Sequence, residues 1–134
     1  MRVSGREVTY RGRDYRVRFG AAEWVAVAYD GPGAGDPAYP DAVAYQPGER
    51  PGWVKLRRDA LERDVQVKVT ASWHGQRVHV MKDLDDGMVA ILFIGSPKFA
   101  EEHGLTGDQQ NGWGGEVAEP ELDDVRVEEK ELSR

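Results

Sequence analysis

Residues 65–73, Val-Gln-Val-Lys-Val-Thr-Ala-Ser-Trp, are the stretch of this sequence that decides its fold. Apolar residues occupy every odd position from Val65 to Trp73, and polar residues occupy the even positions between them. Strict alternation predicts a half-buried β-strand, because successive side chains of a strand point to opposite faces. No turn-forming residue interrupts the stretch, so we expect one continuous strand through the middle of the chain.

The sequence on the two sides of this strand repeats itself. Residues 7–17 resemble residues 70–80, since both alternate around a glycine, and the apolar run 24–29 resembles the run 88–93. Later matches pair Gly52-Trp53 with Gly112-Trp113, and Leu56, Leu61, Val65 and Val67 with Val117, Leu122, Val125 and Val127. The offset stays between 60 and 64 residues. We therefore predict an internal duplication, with repeat one at residues 6–68 and repeat two at residues 69–131.

The expected architecture follows from the small size of each repeat. About 60 residues form only a marginal core, so we expect the halves to share one, giving a single domain over residues 1–134. The predicted class is α+β, mainly antiparallel β-sheet with one or two short helices. Residues 96–104 predict a helix, because Ser96 suits an N-cap, Pro97 the first turn and Gly104 the end. Residues 59–63 predict a shorter helical turn, and residues 31–37 predict a loop.

Composition excludes several classes of protein. The 134 residues include no cysteine, so disulfide frameworks, thiolate metal sites and cysteine nucleophiles are absent. The formal charge is -6, which disfavours nucleic acid as a partner because phosphate contacts need clustered Lys and Arg. The longest apolar run, residues 88–94, is far shorter than the roughly 20 residues of a membrane span. With no secretory leader apparent either, we expect a cytoplasmic protein that makes no membrane contact.

The motifs that could carry chemistry are weak. The glycines of residues 31–35 are followed by Pro37 rather than by a helix, which argues against a phosphate-binding loop. The three histidines show no metal-ligand spacing, and the acids of residues 83–87 do not fit a calcium loop. No nucleophile or acid–base constellation is recognisable. We therefore expect no catalytic residue, no cofactor and no metal.

The charge is concentrated in the second half of the chain. Residues 1–67 carry 11 basic and 10 acidic groups, whereas residues 68–134 carry 7 and 14, so the halves are +1 and -7. An acidic surface of this kind steers a basic protein partner, although such runs are also ordinary solvated surfaces. The predicted partner-binding residues are Asp108, Glu116, Glu119 and Glu121, with Trp113 as an anchor. Core packing stays open for Trp53 and Trp113, and the basic hairpin 11–18 is the next candidate surface.

The layout of the chain resembles small bacterial immunity proteins that neutralise polymorphic toxins. The resemblance lies in the order of strand, turn glycine, strand and apolar strand, followed by a short helix near Gly104, then Trp113 and a closing segment at residues 122–129. It implies a soluble, often acidic, non-catalytic protein that blocks a cognate toxin by capping its active site. The alternative is a small-molecule-binding or enzymatic domain with a cleft between the repeats, lined by Tyr39, Tyr45 or Trp113.

Overall fold

A computed structural model describes residues 1–46 and 52–132 of the chain. In these ranges the protein is mainly antiparallel β-sheet with one short α-helix, which confirms the coarse fold prediction. The strands are β1 (Gly5–Tyr10), β2 (Arg13–Gly20), β3 (Trp24–Tyr29), β4 (Ala42–Gln46), β5 (Gly52–Arg57), β6 (Arg63–Trp73), β7 (Gln76–Asp83), β8 (Met88–Phe93), β9 (Thr106–Asp108), β10 (Gly112–Ala118) and β11 (Asp123–Glu131). The helix is α1 (Pro97–Glu102), and 3₁₀ turns span Arg58–Ala60 and Glu119–Glu121.

The chain divides into two compact units, and neither of them is one continuous stretch of sequence. The N-unit contains Arg6–Gln66 and the described residues from Lys130 onward. The C-unit contains Met1–Gly5 and Val67–Glu129. Each unit therefore includes a short segment from the far end of the chain.

In the N-unit the strands lie in the order β4-β5-β3-β2-β1. Neighbouring strands from β4 to β1 are antiparallel. One face of this sheet forms the core, whose buried side chains are Val8, Tyr10, Val25, Val27, Tyr29, Val54, Leu56 and Leu61. The predicted loop at residues 31–37 is non-helical, as expected.

In the C-unit the strands lie in the order β9-β10-β8-β7-β6, and β11 also pairs with β6. The ladders from β6 to β9 are antiparallel. The alternation of β8 buries Val89, Ile91 and Phe93 and leaves the residues between them half-exposed. A core on one face is the usual result of such a pattern.

The prediction for the deciding stretch is confirmed. β6 spans Arg63–Trp73 without a break, and every odd-numbered residue from Val65 to Trp73 is buried. The predicted helix is confirmed as well, since α1 has Ser96 at the N-cap and Pro97 in its first turn. The expected turn at residues 59–63 is instead a 3₁₀ turn at Arg58–Ala60.

Candidate functional site

The acidic residues predicted to bind a partner lie in the C-unit, and the structure groups three of the four. Glu116 is on β10, and Glu119 and Glu121 are in the 3₁₀ turn that follows it; all three are exposed. Asp108 lies opposite Gly112, at the other end of β10. Glu116 lies four residue steps along the strand from Gly112, or about 13 Å, so Asp108 is not part of the group.

The electrostatics separate Asp108 from the other acids in the same way. Its carboxylate accepts hydrogen bonds from the Asn111 backbone N–H at 2.7 Å and from the Asn111 side-chain amide at 3.3 Å. These bonds, the backbone one first, hold the pKa of Asp108 below its usual range. Asp108 therefore closes a turn between β9 and β10.

Glu116 and Glu119 have no such partners. Neither forms an ion pair with any residue in the described part of the chain. Glu121 accepts a hydrogen bond from the Ala118 N–H at 3.0 Å, which fixes the turn and keeps its charge at the surface. We call Glu116, Glu119, Glu121 and the adjoining Asp123 the acidic surface.

Trp113 is a core residue in this structure. Its side chain is 5% exposed and packs near Phe93, with ring centroids 6.3 Å apart. A side chain that is already buried has little further area to lose to a partner, so the geometry favours the core alternative over the anchor role. Trp53, the residue matched to it by sequence, is only half-buried.

Two apolar side chains on β11 are exposed to solvent. Val125 is 47% exposed and Val127 is 43% exposed, whereas Val65 and Val67, their matches in the first repeat, are each 1% exposed. The same alternating pattern therefore gives opposite burial on β6 and β11. All of β11 is exposed, and it continues directly from the acidic surface.

A second surface, in the N-unit, was not foreseen from the sequence. Phe19 lies edge-on to Trp24 and to Trp53, with centroid distances of 5.8 and 5.5 Å. The Lys55 ammonium lies over both indoles, 4.0 Å from the Trp24 ring and 5.0 Å from the Trp53 ring. We call Phe19, Trp24, Trp53 and Lys55 the aromatic face.

A β-bulge explains why sequence pattern missed this surface. Val17 pairs with Val27, but Phe19 pairs with Ala26, so the register shifts by one residue between them. The shift turns Phe19 to the face opposite the core, where regular alternation would have buried it. The signal in the sequence was its aromatic residues Phe19, Trp24 and Trp53, but their spacing along the chain does not show that they meet.

The small-molecule alternative predicted a cleft between the repeats, lined by Tyr39, Tyr45 or Trp113. The N-unit has an open cleft of about 770 Å³ lined by residues 34–45, Tyr39 and Tyr45 among them. Tyr39 stacks on Tyr10 and lies edge-on to Tyr29. The Tyr29 hydroxyl donates to Asp36, and the Tyr45 hydroxyl donates to the Tyr39 carbonyl. Burial, followed by the Tyr15 hydroxyl contact, raises the pKa of Tyr39, so this phenol stays neutral. These bonds tie the hydroxyls to the protein itself and leave few to bind a ligand.

The histidines are packed rather than arranged as ligands. His74 and His103 lie with ring centroids 4.8 Å apart, and the Nδ1 of His103 is 2.9 Å from the Phe99 carbonyl oxygen. Within residues 1–46 and 52–132, no three His, Asp or Glu side chains converge in a way that could hold a metal ion. The expected absence of catalytic residues and cofactors stays a prediction.

No protein-family model, curated protein or solved structure matches this chain. Among the helices of the described residues, none has both the length and the apolar character that crossing a bilayer requires.

Proposed function

We propose that this protein is a non-catalytic binding module that acts by forming a stoichiometric complex with a basic protein. Its most concrete form is a cytoplasmic immunity protein that caps the active site of a cognate bacterial toxin. The toxin assignment rests on the resemblance in layout, whereas the chemistry of the partner rests on the acidic surface and β11.

One observation carries the proposal: two exposed valines adjoin a surface of exposed carboxylates. Val125 and Val127 provide apolar area that solvent now covers. Glu116 and Glu119 form no ion pair among the described residues, although the hydrogen bond to Asp83 and, to a lesser extent, the charge of Glu119 raise the pKa of the Met1 ammonium. Stable interfaces combine a desolvated apolar centre with a charged rim. Apolar residues alone would fit any partner, but the carboxylates select a basic one.

The two parts of this surface have different expected roles. Carboxylates at a rim mainly raise the association rate by steering a partner of opposite charge, and salt screens this effect. Apolar contacts at the centre mainly slow dissociation. The acidic surface therefore governs how fast the complex forms, and Val125 with Val127 governs how long it lasts.

The test begins with the reading frame beside this gene: where it encodes a large secreted protein, the C-terminal domain of that protein is produced and immobilised for kinetic measurement. Reversing Glu116, Glu119 and Glu121 to Lys should slow association and flatten its dependence on salt concentration. Replacing Val125 and Val127 by Thr should speed dissociation and leave the association rate nearly unchanged. Far-UV circular dichroism verifies that each variant is folded.

A matched control reverses three other exposed acids, Asp30, Glu101 and Glu102. It makes the same change of net charge away from the proposed surface. If this control slows association as much as the first triple variant does, the effect reflects net charge alone and the proposed surface is wrong. Growth of cells that produce the toxin domain reports neutralisation independently.

We also propose that the two units arose by duplication. The strand order β4-β5-β3-β2-β1 of the N-unit has the same pattern as β9-β10-β8-β7-β6 of the C-unit. Equivalent turns support this, since Arg11-Gly12 and His74-Gly75 all have positive φ. The bulge between Val17 and Phe19 has its counterpart between Val80 and Lys82.

A further inference from the structure

The aromatic face is not required by the scaffold on which it lies. At the equivalent positions of the C-unit, Lys82 replaces Phe19 and Met88 replaces Trp24. Trp53 lies opposite Ala28 on β3. The residue at the equivalent place on β10, opposite Leu92 of β8, is Gly114. The C-unit thus has the same strand order without aromatic side chains at these positions. A feature that only one of two like units carries points to a role other than folding.

The exposure and charge of the aromatic face are those of a binding surface. Phe19 is 40% exposed, and Val43, which the bulge between Ala42 and Ala44 on β4 displaces, is 52% exposed. Val43 and Trp24 line an open cleft of about 600 Å³ together with Arg57. Lys55 forms no ion pair with any residue in the described ranges; its charge is held over the two indoles. Trp and Arg are the residues that most often carry binding energy at interfaces.

This chain itself carries a surface of complementary chemistry. The acidic surface offers carboxylates without cationic partners, and the adjoining Val125 and Val127 offer exposed aliphatic groups. Lys55 would meet the carboxylates, while Phe19 and Val43 would meet the valines. Each copy holds one surface of each kind, so the aromatic face of one copy can bind the acidic surface of another.

We propose that the protein associates with itself, with the aromatic face of one copy docking on the acidic surface and β11 of a second copy. The contact is heterologous, because it joins two different surfaces, so a copy that binds through one surface keeps the other for a further copy. It uses the acidic surface of the proposed function but does not depend on a foreign partner. A basic partner competes for the same surface, so binding of that partner separates the copies.

The test is sedimentation analysis of the full chain over a wide range of concentrations, which should show reversible self-association. Lys55→Glu should weaken the association constant by about tenfold or more, because it places like charges together. The triple variant with Glu116, Glu119 and Glu121 changed to Lys should weaken it similarly. Lys98→Glu, the same charge change on an exposed residue of α1, is the control and should have little effect.

Mixing the two weakened variants gives the decisive result. In the mixture, a contact between unlike copies joins either the Lys55→Glu face to the lysine-bearing surface or the two surfaces that keep their native charges. Association should therefore return on mixing, detected by labelling one variant with a fluorophore. A chain that stays monomeric at every concentration, or variants that do not recover on mixing, would overturn the proposal.

A titration with a single-stranded deoxythymidine oligonucleotide distinguishes a different occupant. Quenching of tryptophan fluorescence in the wild type, lost in Phe19→Ser, would assign the aromatic face to nucleic acid and overturn the self-association proposal. Binding of the foreign basic partner is measured separately, so failure of self-association leaves the proposed function intact.

Discussion

At the residue scale, Asp64 is the buried charge of the described chain, and two arginines hold it. Arg6 donates to its two carboxylate oxygens at 2.7 and 2.5 Å, and Arg58 lies 3.3 Å away. Asp64→Asn would leave these guanidinium groups half-buried without their counterion. We expect the free energy of unfolding to fall by about 3–5 kcal/mol, measured by urea denaturation.

The matched control for this prediction is Asp59→Asn. Asp59 pairs with Arg57 at 3.5 Å, but its side chain is 75% exposed, so solvent screens the pair and the loss should stay below about 1 kcal/mol. Equal losses in the two variants would show that burial of Asp64 adds nothing.

His79 gives a prediction about pH. His79 is half-buried between Thr70 and Leu92 on the neighbouring strands. Burial, and secondarily the charge of Lys68, lower the pKa of His79 below its ordinary value of about 6.5. Its NMR titration should show this, and Lys68→Gln should move the pKa part of the way back.

The sign of the effect on stability follows from that direction. A pKa lower in the folded state means that the unfolded chain binds the proton more readily. The contribution of His79 is therefore present above about pH 6.5 and is lost as the pH falls through the lower, folded-state pKa. His79→Gln should remove this part of the pH dependence, and an unchanged acid limb would contradict it.

At the element scale, β8 tests how alternation translates into stability. Ile91 is 2% exposed in the C-unit core, whereas Ile94, just beyond the strand, is 65% exposed. Ile91→Ala should cost about 2–5 kcal/mol through lost contacts and a cavity. Ile94→Ala, the same chemical change at an exposed position, should cost roughly 0.5 kcal/mol or less in the same denaturation experiment.

The strands also show which structural features the sequence pattern predicts and which it does not. Alternation predicted β6 correctly, because apolar residues occupy its buried face and polar residues its other face. Residues 88–93 are apolar throughout, yet β8 buries only every second side chain, so its sequence did not show which face is covered. The comparison of the two repeats matched Trp53 to Trp113. In the structure, however, Trp53 lies opposite Ala28 and Trp113 lies opposite Phe93. Relative to β3 and β8, the third strands of the two units, the two pairings differ in register by one residue. A register difference of one residue places the side chain on the opposite face of the sheet.

Position within the sheet was a further limit. Val125 and Val127 have the same pattern as Val65 and Val67, but β6 has neighbours on both edges, whereas β11 pairs only with β6 among the described strands. Whether a strand is central or at an edge depends on the partners that cover it, and its own sequence does not record them. The acidic residues of the candidate site were visible in the sequence, but their apolar companions were not.

At the scale of the whole molecule, each unit depends on a short segment from the far end of the chain. The C-unit needs Met1–Gly5: the Ser4 N–H donates to the Val80 carbonyl at 2.8 Å, and the N-terminal ammonium lies 2.6 Å from Asp83. The N-unit needs the end of β11, where the Leu132 N–H donates to the Asp64 carbonyl at 2.8 Å. Cutting the chain in the middle thus removes a segment from each unit.

We therefore expect that residues 1–68 and residues 69–134, produced separately, do not fold. Each piece is small, so its core is marginal. Each piece also lacks part of β6 and loses the backbone hydrogen bonds of the terminal segment that it no longer contains. The measurement is a ¹H–¹⁵N correlation spectrum of each piece, which should show the narrow dispersion of an unfolded chain. Mixing the pieces should restore dispersion, because every missing segment is then supplied. A well-dispersed spectrum from either piece alone would show that one repeat is a domain in its own right, and the prediction of a single cooperative domain would be wrong.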